Sequence, residues 1–436
     1  MNTKVGYLAL PLLVFAGMAT VEARVPTEVP VLISRAPNPQ VPQHEEDSSV
    51  IRETAVVARI DDARRADRIR LPLFDGTGEL ELVRTNRRRT RDDVVIWTGR
   101  VRGQPASEVV FAAGRGVLIA NIATQPNRER DSRHFQIRFL EDGRHVLREV
   151  DPSTMAPGRN PIAADVVVAG PPETCSTDSG RTIDLLVFFT PEARKKAGGT
   201  AAIKNAIETW VGEANLSYAQ SGITQKLQLV GSEEITYVES DDLESDLSKL
   251  KKEGGELGAV HGRRNETGAD LVALIVQYGK KKTDDIGCGL ATIMENISPA
   301  FESSAFAVVP RICADTDFSL THELGHLMGA RHDWAEEHQV SSSNKPFKFS
   351  HGFVHIPTSP SQEPGFRTIM AKDTLCRMED RPLKKCRRVL FWSNPANTYL
   401  PSGVRMGVGG DDEPSNNAET LREAAPVVSN FRCHKE

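Results

Sequence analysis

Residues 322–333 read His322-Glu323-Leu324-Gly325-His326-Leu327-Met328-Gly329-Ala330-Arg331-His332-Asp333. Two histidines four residues apart lie on one face of a helix, one turn apart, so both imidazoles can reach a single zinc ion. Gly329 lets the chain leave the helix through a positive φ, and His332 can then supply a third ligand. Three protein ligands plus a water form the open geometry of a catalytic zinc site.

Glu323 lies beside these histidines on the predicted helix. In this pattern a glutamate is placed to take a proton from zinc-activated water. The alternative is an amphipathic core helix whose histidines are incidental. The chain has 11 histidines in 436 residues, which makes a chance match to the full pattern rare, so the metal site is favoured.

A methionine follows the zinc motif in a short turn-like segment, Arg367-Thr368-Ile369-Met370-Ala371. The two motifs together resemble the metzincin zinc endopeptidases. Asp333, directly after the third histidine, resembles the reprolysin (adamalysin) branch. Phe391-Trp392-Ser393-Asn394-Pro395 is similar to secreted bacterial reprolysin-like enzymes, including the peptidyl-Asp metalloendopeptidases. The resemblance implies that Met370 forms a hydrophobic floor and that Asp333 orients the site by hydrogen bonds, while neither is a ligand; alone, Met370 would be ordinary core.

The region after residue 175 alternates between strand and helix patterns. Thr182–Phe189 and Leu271–Val276 are apolar runs typical of buried strands, and the segment 203–222 has helical spacing. This order predicts a mixed, twisted sheet with helices packed on it. The resemblance implies the same fold class, an α/β (α+β) metzincin catalytic domain with its active-site helix under the sheet, and we assign residues 175–436 to it.

The N-terminus has the features of a secretory signal. A positive Lys4 precedes the apolar run 5–19, and Val21-Glu22-Ala23 fits a cleavage site, so residues 1–23 are predicted to be removed. The apolar run is shorter than the ~18–20 residues that a membrane span needs. We therefore expect a protein secreted to the exterior or the periplasm, with no membrane span.

Residues 24–174 are interpreted as a pro-region without catalytic residues. Residues 24–50 are predicted to form a flexible arm, residues 51–151 an all-β module of short strands, and residues 152–174 a proline-rich linker with a processing site. The resemblance implies that this region acts as an intramolecular inhibitor. Either Cys175 or an acidic side chain could block the zinc, and the sequence leaves the choice open.

The charge balance argues against a nucleic-acid binder, since 54 Lys and Arg face 59 Asp and Glu. The run Arg87-Arg88-Arg89 could form a nucleic-acid patch or a processing site. The strand-like alternation around it favours a solvated hairpin turn.

Six cysteines, an even number in an exported chain, indicate disulfides. The favoured pairs are Cys288–Cys313 above the active-site helix, Cys376–Cys386 after the methionine turn, and Cys175–Cys433 between the ends of the domain. A cysteine zinc site is disfavoured because the chain has no C-x-x-C pair.

Substrate contacts are expected on both sides of the zinc. The resemblance implies that Gly289-Leu290-Ala291-Thr292 is the sheet edge along which an extended peptide pairs its backbone; the alternative is a buried interior strand. Lys372 stands where astacin- and serralysin-type enzymes have a tyrosine. Lys372 or Arg367 could make the pocket below the zinc favour an acidic side chain just after the cut.

Two weaker metal candidates remain. Asp411-Asp412-Glu413 with Asn416 and Asn417 could hold a structural calcium ion, although a solvated loop is the favoured interpretation. Three histidines near the motif in sequence, His338, His351 and His355, are interpreted as structural.

The sequence thus predicts a secreted zinc metalloendopeptidase made as a zymogen. It would be a monomer that holds one catalytic Zn²⁺ through His322, His326 and His332 and hydrolyses internal peptide bonds of polypeptides, with Glu323 as general base. The alternative is a secreted zinc-containing binding or adhesion module without activity.

Overall fold

The computed structural model describes residue 1 and residues 28–41, 49–74, 78–126, 131–164, 180–278, 285–337, 344–358, 364–377 and 386–435. The predicted signal segment 1–23 therefore lies outside the described residues except for Met1. Among the described residues, no helix is long and apolar enough to cross a membrane.

The N-terminal part is a nine-stranded sheet with the spatial order β1-β2-β9-β8-β7-β6-β5-β4-β3. In chain order its strands are β1 (Ile33–Arg35), β2 (Val50–Ala58), β3 (Arg68–Pro72), β4 (Glu79–Arg89), β5 (Val95–Val101), β6 (Glu108–Gly114), β7 (Val117–Ala123), β8 (His134–Phe139) and β9 (His145–Val150). A short helix, α1 (Ile60–Arg65), covers one end. Alternating residues form the core of this module, where Trp97 stacks on Phe111 with ring centroids 4.8 Å apart.

The arginine run predicted as a hairpin turn lies in a strand, so that prediction is wrong. Arg87, Arg88 and Arg89 end β4 and pair with Trp97, Ile96 and Val95 of β5. A strand tolerates three arginines here because their long side chains reach solvent while their backbone groups pair.

The second sheet has the spatial order β10-β14-β15-β13-β11-β12. Its strands are β10 (Ile162–Ala163), β11 (Thr182–Phe189), β12 (Lys226–Glu234), β13 (Leu271–Val276), β14 (Leu290–Ile293) and β15 (Phe306–Pro310). Four neighbouring strands are parallel, and only β14 runs antiparallel to its neighbour β15. The helices of this region are α2 (Pro191–Lys196), α3 (Thr200–Gln220), α4 (Leu243–Lys251) and α5 (Ala259–Thr267). The mixed sheet with packed helices agrees with the predicted fold class.

Two consecutive helices, α6 (Arg311–Thr316) and α7 (Ser319–His326), follow the sheet, and α7 carries the zinc motif. The described part of the chain after α7 is mostly irregular. Its short elements are β16 (Arg331–Asp333), α8 (Trp334–Glu337), β17 (His351–Gly352), β18 (Val354–His355), β19 (Phe366–Arg367), α9 (Thr374–Arg377), β20 (Arg387–Arg388), β21 (Asn394–Tyr399), β22 (Val404–Met406) and α10 (Asn417–Val428).

Helix α3 is buried on two sides, against its own sheet and against the N-terminal module. At Gly212 an added Cβ would lie 2.9 Å from the side chain of Val110 and 3.1 Å from that of Ile96. Only glycine lets β5 and β6 approach the helix this closely. The same helix also presents polar side chains to the module, so hydrogen bonds and apolar packing both contribute to the contact between the two regions.

Two disulfides connect described residues, Cys288–Cys313 and Cys376–Cys386. They are the pairs that the sequence analysis favoured. Cys433 is also disulfide-bonded, while Cys175 lies outside the described residues. The Cys288–Cys313 bond ties the start of β14 to α6, directly above the motif helix.

The proline-rich stretch predicted as a linker is in part an ordered element. Its described residues, 152–164, begin with a 3₁₀ turn (Pro152–Thr154) and end in β10. Because β10 pairs in parallel with β14, this stretch covers the sheet edge that the sequence analysis assigned to substrate.

Candidate metal centre and cleft

The three motif histidines converge at the end of α7. The Nε2 atoms of His322 and His326 each lie 3.2 Å from Nε2 of His332. All three side chains are buried. Among the described residues, these three histidines are the group of three or more His, Cys, Asp or Glu side chains whose ligand atoms lie close enough together to hold a metal ion.

The other ring nitrogens fix the orientation of two of these rings. Nδ1 of His322 donates to the carbonyl of Ile369, and Nδ1 of His326 donates to the carbonyl of Ala330, each at 2.9 Å. A carbonyl only accepts, so Nε2 of each ring carries the free lone pair. Burial lowers the pKa of all three histidines below the ordinary value, which keeps them in the neutral form that binds metal.

Glu323 is completely buried next to the histidines. Neither of its carboxylate oxygens has a hydrogen-bond partner among the described residues. Burial raises the pKa of Glu323 to about 8, although the charges of Arg388 and Lys372 oppose the rise. A buried carboxylate with both oxygens uncommitted can accept a proton from a molecule that enters the cleft.

Two glycines allow close packing around this carboxylate. A Cβ at Gly289 would lie 2.5 Å from Oε1 of Glu323, and a Cβ at Gly325 would lie 2.8 Å from Sδ of Met370. The predicted edge strand therefore begins against the glutamate, and the methionine turn packs directly under the motif helix. The sequence analysis named both segments, and the structure brings them to the same cleft.

Asp333 connects the third histidine to the methionine turn. Its Oδ2 accepts from the backbone N–H of Lys372 at 2.9 Å, and burial raises its pKa to about 6. The side chain of Lys372 is engaged elsewhere, with Nζ 2.7 Å from Oδ1 of Asn160 and 3.3 Å from Glu336.

Glu337 was missed by the sequence analysis. Its Oε1 lies 3.2 Å from Nδ1 of His332, and its Oε2 accepts from Nε of Arg331 at 2.6 Å. Burial would raise the pKa of Glu337, but the bond from His332 and the charge of Arg331 outweigh burial and lower it. Nothing in the sequence separates this residue from its neighbour Glu336. His351 also supports the third histidine, since its Nδ1 donates to the carbonyl of His332 at 2.9 Å.

A segment of the N-terminal region runs across the cleft. The backbone N–H of Arg159 donates to the carbonyl of Gly289 at 3.1 Å, and the N–H of Cys288 donates to the carbonyl of Pro157 at 3.2 Å. Between them, a Cβ on Gly158 would lie 3.3 Å from Oε1 of Glu323 and 3.4 Å from Nε2 of His322. Residues 155–163, hereafter the cleft segment, thus pass directly over the candidate metal centre.

Two arginines lie beside the methionine turn. Arg388 of β20 and Arg367 of β19 are paired neighbours, and both reach Oδ2 of Asp317, at 2.8 Å and 3.4 Å. Arg367 also donates to the carbonyl of Ala371 at 2.9 Å. Arg388 was not named by the sequence analysis, because its distance from the motif in sequence gave no signal.

The proposed calcium loop does not gather a ligand set. The carbonyl of Asp411 accepts from Lys348, the Asn416 side chain caps α10 by accepting from the N–H of Glu419, and Asn417 bonds to the backbone of Arg331. The amides therefore serve the fold. Of the other histidines, His355 lies on β18 against Phe366, and His338 lies outside the described residues.

Sequence comparisons with known proteins indicate one family. Residues 179–381 match the family described as Reprolysin_5, metallo-peptidase family M12. A peptidyl-Asp metalloendopeptidase of Stenotrophomonas maltophilia (strain R551-3) is 30% identical over 372 residues, which are 81% of this chain and 81% of the relative. A peptidyl-Asp metalloendopeptidase of Xanthomonas campestris pv. campestris is 31% identical over 307 residues, 68% of this chain and 65% of that protein. The crystal structure of metalloproteinase-II from Bacteroides fragilis matches 67% of this chain and 88% of its own, at 12% identity and a TM-score of 0.39.

Proposed function

This chain belongs to metallo-peptidase family M12, and from that membership we propose that it is a secreted zinc endopeptidase, made as a zymogen, that cuts polypeptides at aspartyl residues. The observation that carries the proposal is the convergence of three neutral imidazoles beside a buried glutamate with uncommitted oxygens. The aspartyl preference is taken from the names of the bacterial relatives.

The histidine cluster fits zinc. Ligand nitrogens of a tetrahedral zinc ion with Zn–N bonds of ~2.0–2.1 Å lie about 3.3 Å apart, and the two Nε2 separations of 3.2 Å match this. His322, His326 and His332 would hold the ion, which supplies Lewis acidity and lowers the pKa of a water there. The Glu337 carboxylate, 3.2 Å from Nδ1 on the far side of His332, would hold that ring in place.

Glu323 would move the protons of the reaction. It takes a proton from the attacking water and passes it to the amine that leaves when the peptide bond breaks. Its oxygens are available for both steps because they have no partner among the described residues. Asp333 holds the third histidine's strand to the methionine turn through the Lys372 N–H, so it positions the site without touching the substrate.

Substrate backbone would pair with β14. Leu290 and Ala291 are buried, while the outer backbone groups of Gly289, Thr292 and Ile293 already pair with the cleft segment. The edge strand is thus able to bind an extended chain by main-chain hydrogen bonds.

The pairing of β14 with the cleft segment supports the proposal that the protein is made as a zymogen. Residues 24–174 would act as an intramolecular inhibitor by laying backbone, with Gly158 at its centre, over Glu323 and His322. This differs from the two blocking groups considered from sequence, since Gly158 offers neither a thiolate nor a carboxylate. Cleavage between residue 164 and the start of β11 would free the cleft segment from the catalytic chain.

The test is casein hydrolysis by the purified secreted protein before and after limited proteolysis of the linker, with zinc measured on the same samples. We expect the uncut protein to be latent and the cut protein to be active. Glu323→Ala should keep about one zinc and lose hydrolysis, while Glu192→Ala, at an accessible glutamate on α2, should keep both. If the cut protein bound zinc but did not hydrolyse casein, the protein would be a zinc-containing binding module and not a protease.

A further inference from the structure

We propose that Arg388 is the residue that recognises the acidic side chain of the substrate, in the position just after the cut bond. This rests on the proposed endopeptidase function and adds a specificity-determining residue to it. It also moves the acid-recognising role away from Lys372 and Arg367, the residues suggested by sequence position.

Arg388 is a buried guanidinium with donors to spare. Its side chain is 3% exposed, and its Nη1 reaches both Oδ2 of Asp317, at 2.8 Å, and the Asp317 carbonyl, at 2.7 Å. Its Nε and Nη2 are buried without a hydrogen-bond partner among the described residues. Buried N–H groups of a charged side chain normally have acceptors, and a carboxylate matches a guanidinium with two donors side by side.

The charge around Arg388 also favours an incoming anion. Asp317 is shared with Arg367, so two buried cations contact this one carboxylate, while the charges of Asp373 and Glu323 also act on Arg388. Burying a charge without a partner is costly, and a substrate carboxylate would complete this group. Arg388 lies close enough to the reaction centre for its charge to act on both Glu323 and His322.

The two other cations are less suited to the role. Lys372 already has a carboxylate partner in the catalytic chain, Glu336 at 3.3 Å, and this pair remains when Asn160 leaves with the cleft segment. Arg367 uses Nη1 on the Ala371 carbonyl and Nη2 on Asp317, leaving only Nε without a partner in the described structure.

The cleft segment shows on which side of the cut Arg388 lies. From Gly158 the segment runs one way to β10, beside Thr292 and Ile293, and the other way to Met155, which packs against Cys313. The N–H of Asp317 donates to the Cys313 carbonyl at 3.0 Å, so Asp317 and Arg388 belong to the Met155 side.

Antiparallel pairing is the more stable arrangement of two strands, and a substrate antiparallel to β14 would place its residues after the cut on that same side. Its direction is then opposite to that of the cleft segment, which is parallel to β14. A peptide in this direction presents the side chain that follows the cut bond to Arg388, whereas Lys372, through Asn160, faces the residues before the cut.

The test offers the active, linker-cut protein two peptides that differ only in Asp or Asn after the cut bond. We expect the Asp peptide to have a kcat/KM on the order of 10²-fold higher. Arg388→Gln should bring the ratio of the two kcat/KM values close to one, whatever its absolute rate, and Arg388→Lys, which keeps charge but not the fork, should retain part of the preference.

Arg264 provides a matched control. Burial lowers the pKa of Arg264 and of Arg388 alike to about 10, but all donors of Arg264 that face the protein have carbonyl partners, at Ala269, Glu302 and Asp270. Arg264→Gln should destabilise the protein at least as much as Arg388→Gln, in a thermal unfolding measurement, without changing the Asp-to-Asn ratio.

The possible results distinguish a failure of the role proposed for Arg388 from a failure of the endopeptidase function on which that role rests. Wild-type protein that cuts neither peptide nor casein refutes the endopeptidase. Wild-type protein that cuts both peptides equally, or that selects Asp before the cut, refutes only the role of Arg388, as does an Arg388→Gln variant that keeps the preference. The comparison of the two peptides with wild-type protein needs no variant, so it tests the preference for Asp after the cut even if Arg388→Gln does not fold.

Discussion

Buried polar groups occur in two regions of this molecule, and the two regions treat them in opposite ways. At the contact between the N-terminal module and the helices α3 and α6, the Glu213 carboxylate accepts from Asn121 at 2.6 Å, and Nη2 of Arg138 donates to the Asp315 carbonyl at 3.0 Å, so that only Nε of Arg138 lacks a partner in the described structure. In the cleft, Glu323 and two donors of Arg388 are as deeply buried but lack partners in the described structure.

The difference separates structural from chemical roles. A polar group that folding buries and pairs contributes to holding two surfaces together. A polar group that folding buries and leaves unpaired raises the free energy of the fold, so it is expected where a substrate supplies the missing partner. The module contact should therefore respond to mutation through stability, and the cleft through binding and catalysis.

The largest expected effect tests the cleft. His326→Ala removes one of three candidate ligands, so zinc affinity should fall by more than the ~100-fold that losing an outer hydrogen bond costs, and hydrolysis should be lost. His355→Ala is the control, since His355 lies outside the cluster. If zinc titration gave equal affinities for the two variants, the assignment of His326 as a zinc ligand would be contradicted.

The next effect concerns pH at the module contact. Burial raises the pKa of Glu213 to about 8, while the Asn121 bond and the charge of Arg138 lower it, and Asp315 and Glu108 raise it further. In the docked state Glu213 is therefore protonated up to about pH 8. An undocked, hydrated Glu213 would ionise near its ordinary pKa.

Docking should accordingly weaken as pH rises. The contribution of Glu213 is fully present below pH ~4.5 and is lost through pH ~8, by about 5 kcal/mol over the whole window. Glu213→Gln should remove this part of the pH dependence. The measurement is the fraction of N-terminal module retained by the linker-cut protein at each pH; an unchanged slope in the variant would show that Glu213 is not the titrating group.

A smaller effect is expected from the buried ion pair across the contact. Arg138→Met leaves Asp315 with Arg311, 2.6 Å away, as its remaining cation, so the free energy of unfolding should fall by about 3 kcal/mol. Arg102→Met, which breaks a mostly exposed pair with Glu81, serves as control. If urea titrations gave equal losses in the free energy of unfolding for the two variants, burial would not determine how much a broken ion pair destabilises the protein.

The smallest effect lies at the rim of the same contact. Arg88 pairs with Glu208 at 2.8 Å, but its side chain is 48% exposed. Arg88→Gln should therefore lower the free energy of unfolding by less than about 1 kcal/mol. If Arg88→Gln lowered the free energy of unfolding as much as Arg138→Met, an exposed ion pair at the rim of the contact would contribute as much as a buried one at its centre, and the prediction would be wrong.

Local sequence was sufficient for elements whose partners lie within one helix or strand. The spacing of His322 and His326 predicts their common face, and Gly329, with φ of 83°, ends the helix region as expected. The apolar run at Leu271–Val276 is the central strand. These features follow from the period of helix and strand, which the order of residues fixes without reference to the rest of the chain.

Prediction was weaker where sequence shows only composition. The pattern around the arginines at the end of β4 predicts a turn, whereas the structure has a paired strand there. Helix α7 begins after Phe318, whose φ is 55°, without a side-chain cap. Pairing with β5 and packing under the sheet override these local preferences.

The amino-acid sequence by itself determined the candidate metal ligands and the glutamate beside them, because each follows from residue type and short spacing. It favoured, without determining, the two disulfide pairs that connect described residues. Only the tertiary structure decided that Glu337 supports His332, that Gly158 lies over Glu323, and that Arg388 keeps two buried donors free. Those contacts join residues far apart in the chain, and their chemistry depends on burial, which no local pattern records.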